Sequence, residues 1–268
     1  MKVPSNNNSP VLFIDSGIGG IPYCRHFLEK NPGQNIVYLA DRRHFPYGNR
    51  ERGELAGIII KLVQQAKAIF NPKIVVLACN TASLAALSNL RETFPLLPFV
   101  GTVPAIKPAV LATKTGKIGL LGTELTINEP YIKELAARHG SCEIIGIAAP
   151  ELVEFVEKRL NSASSQERNK IIGSYLDRFY AAGADAIVLG CTHFLFLLDD
   201  FNRQAKGKIS VFESVNGITM RIESLLADSL PVQGLINQLV LTGNTEPEDT
   251  WLYWAEYLGF SLSLLDRL

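Results

Sequence analysis

Short, continuous runs of aliphatic residues, each bounded by turn-forming residues, restrict the fold of this chain more than any other feature of its sequence. A run that is apolar at every position predicts a strand that is covered on both faces, as in a parallel sheet. A strand with one face exposed to solvent has alternating polar and apolar residues instead. The runs predicted to be strands are Val11–Ile14, Ile36–Leu39, Ile74–Ala78, Pro98–Val100, Ile118–Leu121, Glu143–Ile147, Ala186–Leu189 and Lys208–Phe212.

Longer stretches with helical periodicity separate these runs. In Glu51–Phe70, for example, one apolar stripe is formed by Leu55, Ile58, Ile59, Leu62 and Val63. The other stretches predicted to be helical are Ser83–Phe94, Glu129–His139, Pro150–Leu160 and Ser165–Ala182. Strands that alternate with helices predict an α/β fold class with doubly wound sheets.

The composition excludes several classes of protein. The chain has 268 residues, of which 47% are hydrophobic and 19% charged, so it can bury a sizeable core. The 26 Lys and Arg residues balance the 26 Asp and Glu residues, so the chain lacks the basic character of a dedicated nucleic-acid binder. The four cysteines are too few for a disulfide scaffold in a chain of this length.

The first ten residues carry no recognisable targeting signal. Met1–Pro10 is polar and lacks the apolar core of a secretory signal, which predicts a short disordered leader. No apolar stretch of the sequence approaches the roughly 18 residues that a membrane helix needs. We therefore expect a cytoplasmic protein without membrane association, in which the thiols are reduced.

The sequence also contains a weak internal echo. Ile74–Thr81 recurs as Ala186–His193, and Phe13–Gly17 is echoed more faintly by Leu120–Thr123. Two similar halves predict two pseudo-symmetric, doubly wound α/β lobes with mainly parallel sheets and an active site in the cleft between them.

The predicted boundary between the lobes lies near Gly101–Pro108, where a glycine and two prolines indicate a connection. The first lobe is predicted to comprise residues 11–100 and 215–268, and the second residues 101–214. The segment after Ser214 is expected to be helical and to return to the first lobe.

Two cysteines occupy equivalent places in the echo. Cys79 and Cys191 each follow a predicted strand and precede a predicted helix, where ligands bind in α/β folds and a helix N-terminus favours the thiolate. One such cysteine is as often a packing residue as a functional one. Two in matching contexts suit a reaction that removes a proton from one face of a carbon and returns one to the other. Cys24 and Cys142 lack this setting and are assigned to packing.

Other polar motifs also lie at predicted strand ends. The glycine-rich loop Asp15–Gly20 can bring backbone N–H groups to an anion. It lacks the glycine spacing of a dinucleotide fingerprint. The same residues are also typical of a simple tight turn. Asp41 precedes Pro46–Gly48, which is predicted to form a rigid turn. The alternative interpretation of this segment is an ordinary solvated loop. His193 lies two residues after Cys191, where it can assist that thiol or simply pack in the core.

Together these motifs resemble those of glutamate racemases, in the cofactor-independent aspartate/glutamate racemase superfamily. The resemblance extends from Val11 to about Gly259. The motifs that carry it are Asp15–Gly20, Asp41 with Pro46–Gly48, Ala78–Ser83, Gly122–Thr126 and Gly190–His193. The resemblance implies a homodimer that converts L-glutamate into D-glutamate for bacterial peptidoglycan, with neither pyridoxal phosphate nor a metal.

The resemblance also implies roles for individual residues. Cys79 and Cys191 look like the two catalytic acid/bases, Asp15 like the auxiliary carboxylate beside Cys79, and His193 like the helper beside Cys191, with Glu157 assisting on the same side. The residues implied to hold the carboxylates and the amine of the substrate are Ser16, Pro46, Tyr47, Gly48, Asn80, Thr81, Thr123, Thr126 and Thr192.

Three alternatives remain open at the level of sequence. An aspartate racemase, or a related isomerase with two catalytic cysteines, differs by one methylene of pocket length, which these residues do not resolve. A relative without catalytic activity that binds an amino acid or a partner protein would share the fold. A zinc site formed by Cys79, Cys191 and His193 has suitable ligand types.

Overall fold

The computed structural model describes residues 8–226, 236–243 and 246–265. The strands are β1 (Val11–Asp15), β2 (Ile36–Ala40), β3 (Ile74–Leu77), β4 (Phe99–Gly101), β5 (Lys117–Gly122), β6 (Glu143–Ala148), β7 (Ala186–Leu189), β8 (Ser210–Phe212), β9 (Gln238–Thr242) and β10 (Ser261–Leu265). The α-helices are α1 (Ile21–Lys30), α2 (Arg52–Phe70), α3 (Asn80–Thr93), α4 (Ile106–Ala112), α5 (Glu124–Ile127), α6 (Pro130–Ala137), α7 (Pro150–Arg159), α8 (Ser165–Ala181), α9 (Leu198–Ala205), α10 (Val215–Leu226) and α11 (Asp249–Leu258). Short 3₁₀ helices span Arg42–His44, Tyr47–Asn49 and Thr192–Leu197.

The chain divides into two units, each built on its own parallel sheet. Unit 1 comprises Met1–Thr102 and Val215–Leu268, and unit 2 comprises Val103–Ser214. The strand order is β10-β9-β2-β1-β3-β4 in unit 1 and β6-β5-β7-β8 in unit 2. Every strand pairing in both sheets is parallel. The predicted α/β fold class with two lobes of parallel strands is confirmed.

The two sheets share one topology. In unit 1 the chain passes from β1 to β2 on one side and then to β3 and β4 on the other, and β5 to β8 in unit 2 repeat this order. The order accounts for the internal echo, since β3 and β7 occupy equivalent positions. Every residue of β1, β2, β3 and β7 is buried, as their uninterrupted apolar sequences predict.

The segment after Ser214 differs from the helical structure predicted for it from the sequence. We expected it to be helical, but its described residues form the two strands β9 and β10, which extend the sheet of unit 1, in addition to the helices α10 and α11. β9 lies between β2 and β10, whereas β10 forms the sheet edge, where three of its five residues are exposed to solvent. The segment therefore completes the first sheet rather than only covering it.

Local capping explains where the principal helices begin and end. The side chain of Glu51 accepts hydrogen bonds from the backbone N–H groups of Gly53 and Glu54 at the start of α2, and the helix ends at Asn71 in a left-handed conformation. Ser164 and Glu167 form a reciprocal capping box at the start of α8.

The amino-terminal residues are only partly described. Of the predicted disordered leader, residues 1–7 lie outside the described residues. Ser9 is buried, the carbonyl of Asn8 accepts a hydrogen bond from Asn35, and that of Pro10 accepts one from Lys73, so residues 8–10 belong to the folded part of unit 1. Among the described helices, none combines the length and the apolar character needed to cross a membrane.

Candidate active site

The predicted functional residues lie at the carboxyl ends of the central strands. In unit 1, Asp15 ends β1 and Cys79 follows β3, and these two strands are neighbours in the sheet. In unit 2, Thr123 follows β5 and Cys191 follows β7, which are again neighbours. After β1 the chain continues to the strand on one side, and after β3 it continues to the strand on the other side; β5 and β7 do the same in unit 2. Open α/β sheets bind ligands at the carboxyl ends of two strands whose connections diverge in this way.

The loop after β1 holds Asp15 in a fixed conformation. Asp15 is fully buried, and its Oδ1 accepts a hydrogen bond from the backbone N–H of Gly17 at 3.0 Å. The hydroxyl of Tyr38 donates to the carbonyl of Gly17 at 2.8 Å and accepts from the N–H of Gly20 at 3.1 Å. A Cβ on Gly20 would lie 2.7 Å from that of Ala78, so the loop packs directly against the residue before Cys79.

Hydroxyl groups brace the turn that carries Cys79. The carbonyl of Cys79 accepts hydrogen bonds from the backbone N–H of Ser83 at 2.9 Å and from its hydroxyl at 2.8 Å. Thr102 donates its N–H to the Ser83 hydroxyl at 2.9 Å and its hydroxyl to the carbonyl of Leu77 at 3.1 Å. Thr102 and Tyr38 were not predicted from the sequence, because Thr102 falls in the stretch interpreted as a connection and Tyr38 lies inside a strand.

The side chain of Asn80 is left unsatisfied by the protein. Asn80 begins α3 directly after Cys79, is 2% exposed, and has no hydrogen-bond partner for either Oδ1 or Nδ2 in the described part of the chain. Buried polar atoms without a partner are rare and call for a ligand or an ordered water. Thr81 is also buried beside it. The orphaned carboxamide therefore marks a place where a polar ligand group fits.

The loop after β2 brings Tyr47 to the same end of the sheet. The hydroxyl of Tyr47 donates to Oδ2 of Asp41 at 2.8 Å, and both residues are buried. Burial and the Asp41 carboxylate raise the pKa of Tyr47 well above its ordinary value, and Cys79 and Asp15 act in the same direction. Tyr47 is therefore a neutral phenol, and it packs in the same buried cluster as Cys79. Pro46, in a cis peptide bond with Phe45, and Gly48 flank it.

Cys191 lies beside a histidine and carboxylate pair. Its sulfur is 3.7 Å from Nδ1 of His193, and Nε2 of His193 is 2.6 Å from Oε1 of Glu157 on α7. Burial by itself lowers the pKa of His193, but the hydrogen bonds to Cys191 and Glu157 outweigh it and raise the pKa well above its ordinary value. An imidazolium beside a cysteine is an arrangement that stabilises the thiolate and so activates it.

The two cysteines differ in the element that follows them. Cys79 caps the 14-residue helix α3, as predicted. Cys191 is followed by the 3₁₀ helix Thr192–Leu197 instead of the predicted α-helix. The helix dipole therefore contributes less positive potential at Cys191 than at Cys79. At Cys191 the positive charge comes from His193.

The remaining predicted residues of unit 2 form a small hydroxyl cluster. The hydroxyls of Thr123 and Thr126 lie 3.0 Å apart, and the Thr123 hydroxyl also accepts from the N–H of Thr126 at the start of α5. Thr192 is buried next to Cys191. The structure thus groups the predicted site residues by unit. Those of unit 1 are Asp15, Ser16, Pro46, Tyr47, Gly48, Cys79, Asn80 and Thr81; those of unit 2 are Thr123, Thr126, Glu157, Cys191, Thr192 and His193.

Close packing before Cys191 leads to a prediction about stability. A Cβ on Gly190 would lie 2.7 Å from Cδ1 of Leu120 and 3.0 Å from the carbonyl oxygen of Leu121. We expect Gly190→Ala to lower the free energy of unfolding by about 1–3 kcal/mol, because a rigid strand must move. Gly57→Ala in α2, with no atom within 4 Å of the new Cβ, should raise it by about 0.5–1 kcal/mol. Urea unfolding measures both, and a Gly190→Ala variant as stable as the wild type would contradict this packing argument.

The zinc alternative finds no cluster of ligands in the described part of the chain. Within residues 8–226, 236–243 and 246–265, no group of three or more His, Cys, Asp or Glu side chains is placed to hold a metal ion.

Comparisons with known proteins agree on one family. Residues 30–219 match the model of the Asp/Glu/hydantoin racemase family. A glutamate racemase of Bartonella henselae is 38% identical over 221 residues, which cover 81% of this chain and 82% of the relative. A glutamate racemase of Roseiflexus is 36% identical, covering 82% and 80%. The crystal structure of Escherichia coli glutamate racemase in complex with L-glutamate and the activator UDP-MurNAc-Ala superposes with a TM-score of 0.83 at 30% identity, covering 97% of this chain and 99% of that one.

Proposed function

The chain belongs to the Asp/Glu/hydantoin racemase family, and from this membership we propose that it interconverts L-glutamate and D-glutamate without a cofactor. The glutamate racemases that it resembles cover most of its length, so the proposal concerns the whole chain. The structural observation that carries it is the equivalent placement of Cys79 and Cys191 at the carboxyl ends of neighbouring central strands in two sheets of the same topology.

The proposed reaction needs two acid/base groups. One thiolate removes the α-proton of glutamate, and the thiol of the other cysteine donates a proton to the opposite face of the resulting carbanion. The bonds to carbon balance, because one C–H bond breaks and another forms, and the two sulfurs exchange protonation states. In the reverse direction the two cysteines exchange roles.

The neighbours of the two cysteines support this assignment. We propose that Asp15 assists Cys79 in unit 1, and that His193, held by Glu157, assists Cys191 in unit 2. An α-proton is very weakly acidic, so fixed polar groups must stabilise the carbanionic transition state. The residues proposed to bind the substrate are Ser16, Pro46, Tyr47, Gly48, Asn80, Thr81, Thr123, Thr126 and Thr192. The predicted location of the site in a cleft between the lobes stays a prediction.

The test is incubation of the protein with L-glutamate, and separately with D-glutamate, in D₂O. The proposal expects circular dichroism to decay toward zero from both directions and mass spectrometry to find deuterium at Cα. A parallel incubation with L-aspartate separates the sister activity, since turnover of aspartate alone would replace the proposal with an aspartate racemase. Binding of glutamate without turnover would favour the relative that lacks catalytic activity.

The orphaned carboxamide of Asn80 gives a second expectation. Asn80→Ala should leave the free energy of unfolding unchanged or raise it by about 1 kcal/mol, because a buried polar group without a partner is removed. The same change should raise KM for glutamate about tenfold, because the substrate loses a hydrogen-bonding partner. Asn89→Ala, on the exposed part of the same helix, is the matched control. A destabilised Asn80→Ala variant with an unchanged KM would contradict this role.

The cellular setting belongs to the same proposal. We propose that the protein acts in the cytoplasm as a homodimer, and that its D-glutamate is used for peptidoglycan. These three points rest on the resemblance to glutamate racemases. Sedimentation equilibrium across a range of concentrations tests the dimer directly.

A further inference from the structure

The carboxylate of Asp41 joins three separate segments of unit 1. Asp41 is fully buried and directly follows β2. Its Oδ2 accepts from the hydroxyl of Tyr47 at 2.8 Å and lies 2.8 Å from Nδ1 of His44. Its Oδ1 accepts from the hydroxyl of Thr242 at 2.7 Å. A buried carboxylate needs such partners, so its position fixes theirs.

Thr242 supplies the contact that comes from the distant end of the sequence. It is the last residue of β9 and is 1% exposed, and the preceding Leu241 pairs with Ala40 of β2, so the strand register brings its hydroxyl to Asp41. The same hydroxyl accepts a hydrogen bond from the backbone N–H of Arg43 at 3.1 Å. Thr242 therefore holds both the carboxylate and the backbone of the segment that leads to the turn Pro46–Gly48.

The turn depends on this arrangement. The only proton of the Tyr47 hydroxyl is donated to Asp41, which fixes the position of a ring that packs in the same buried cluster as Cys79. Arg50 adds one more connection within the loop, because its Nε donates to the carbonyl of His44 at 2.8 Å. Motion of Asp41 would therefore move Tyr47 and the residues on both sides of it.

We propose that Thr242 is a positioning residue that acts through Asp41 to hold the turn Pro46–Gly48 in the conformation that binds the substrate. The inference deepens the proposed function, because it assumes that this turn contacts glutamate. Thr242 lies beyond residues 30–219, which match the family model, and outside every motif singled out in the sequence.

The experiment compares substitutions at two buried threonines of the same unit. Thr242→Val keeps the shape of the side chain and the backbone pairing of β9 but removes both hydroxyl contacts. Thr242→Ser retains the hydroxyl. Thr219→Val on α10 is the matched control, because Thr219 is 1% exposed and its hydroxyl has no hydrogen-bond partner among the described residues. The measurements are kcat and KM for L-glutamate, the melting temperature, and hydrogen–deuterium exchange of a peptide that spans residues 42–50.

We expect Thr242→Val to raise KM on the order of tenfold, since a hydrogen bond to a charged group is lost and the binding turn loosens. Exchange in residues 42–50 should become faster, because the Asn49 and Arg50 amides donate to the carbonyls of Pro46 and Tyr47 within the same turn. Thr242→Ser should restore both values, and Thr219→Val should match the wild type in both. The contrast between the two valine variants separates positioning from a general loss of stability.

The inference is overturned if Thr242→Val keeps KM within about twofold of the wild type and leaves the exchange of residues 42–50 unchanged. If Thr242→Val does not fold, Thr242→Ala decides, since it removes the same hydroxyl from a smaller side chain, and an unchanged KM would overturn the inference. Failure of the wild type to racemise glutamate counts against the proposed function, and the exchange of residues 42–50 then decides the positioning role alone.

Discussion

Replacing Cys79 or Cys191 by alanine should lower kcat/KM for glutamate by about 10²–10⁴-fold or more in both directions, because each variant lacks one of the two groups that move the proton. The double variant should be hardly worse than either single one, since both thiols act in the same reaction. Circular dichroism with L-glutamate and with D-glutamate measures each direction separately.

The chain supplies its own controls for this experiment. Cys24 in unit 1 is fully buried in α1, where burial raises the pKa of its thiol and keeps it inert. Cys142 in unit 2 is half-buried and precedes β6. Cys24→Ala and Cys142→Ala should keep wild-type rates. If Cys79→Ala or Cys191→Ala retained more than about a tenth of the wild-type kcat/KM, the two-thiol mechanism would be wrong.

Replacing His193 by glutamine should lower kcat/KM about 10²-fold at neutral pH, because Cys191 loses the imidazolium that favours its thiolate. The deficit should shrink as the pH rises, since hydroxide then removes the thiol proton without the help of a cation. His139→Gln, at a half-buried position of the same unit, should show neither effect. A pH-independent deficit would instead indicate that His193 acts by shape alone.

The same substitution changes how stability depends on pH. The hydrogen bonds to Cys191 and Glu157 raise the pKa of His193 in the folded protein above its value of about 6.5 in the unfolded chain. A raised pKa means that the charged form stabilises the folded state fully below pH about 6.5, and that this contribution is lost as the pH rises through the folded-state pKa. The difference in unfolding free energy between wild type and His193→Gln should therefore decline from pH 6.5 upward, and urea titrations at several pH values measure it.

The strands that are buried on both faces could be predicted from the sequence, whereas the exposed edge of the first sheet could not. β1, β2, β3 and β7 are covered on both faces, so their sequences are continuous apolar runs, ended in β1 by Asp15, and were recognised as strands. β10 is an exposed edge whose residues alternate, and its sequence carries too few apolar residues to stand out. Its neighbour β9 follows a stretch without a clear pattern, so neither strand was predicted.

Site residues could be predicted where they lie in a local sequence motif, but not where their contacts join distant parts of the chain. Asp15, Cys79 and His193 lie in motifs whose local order already indicates chemistry. Tyr38 and Thr242 act through strand register, which places a side chain beside a loop that is far away in sequence. Such contacts leave no local pattern, because a tyrosine or threonine inside a strand looks like any other β-forming residue.

The return of the chain to the first sheet has a consequence for the order of events during synthesis. Residues 103–214 emerge from the ribosome as one uninterrupted stretch, so unit 2 has all of its strands before translation reaches β9. Unit 1 must wait, because β9 pairs with β2, which is made some 200 residues earlier, and β10 pairs in turn with β9. A nascent chain that ends at residue 226 has Cys79 and Asp15 but lacks the hydroxyl that holds Asp41. The turn Pro46–Gly48 of unit 1 is therefore among the last parts of the molecule to reach its final conformation.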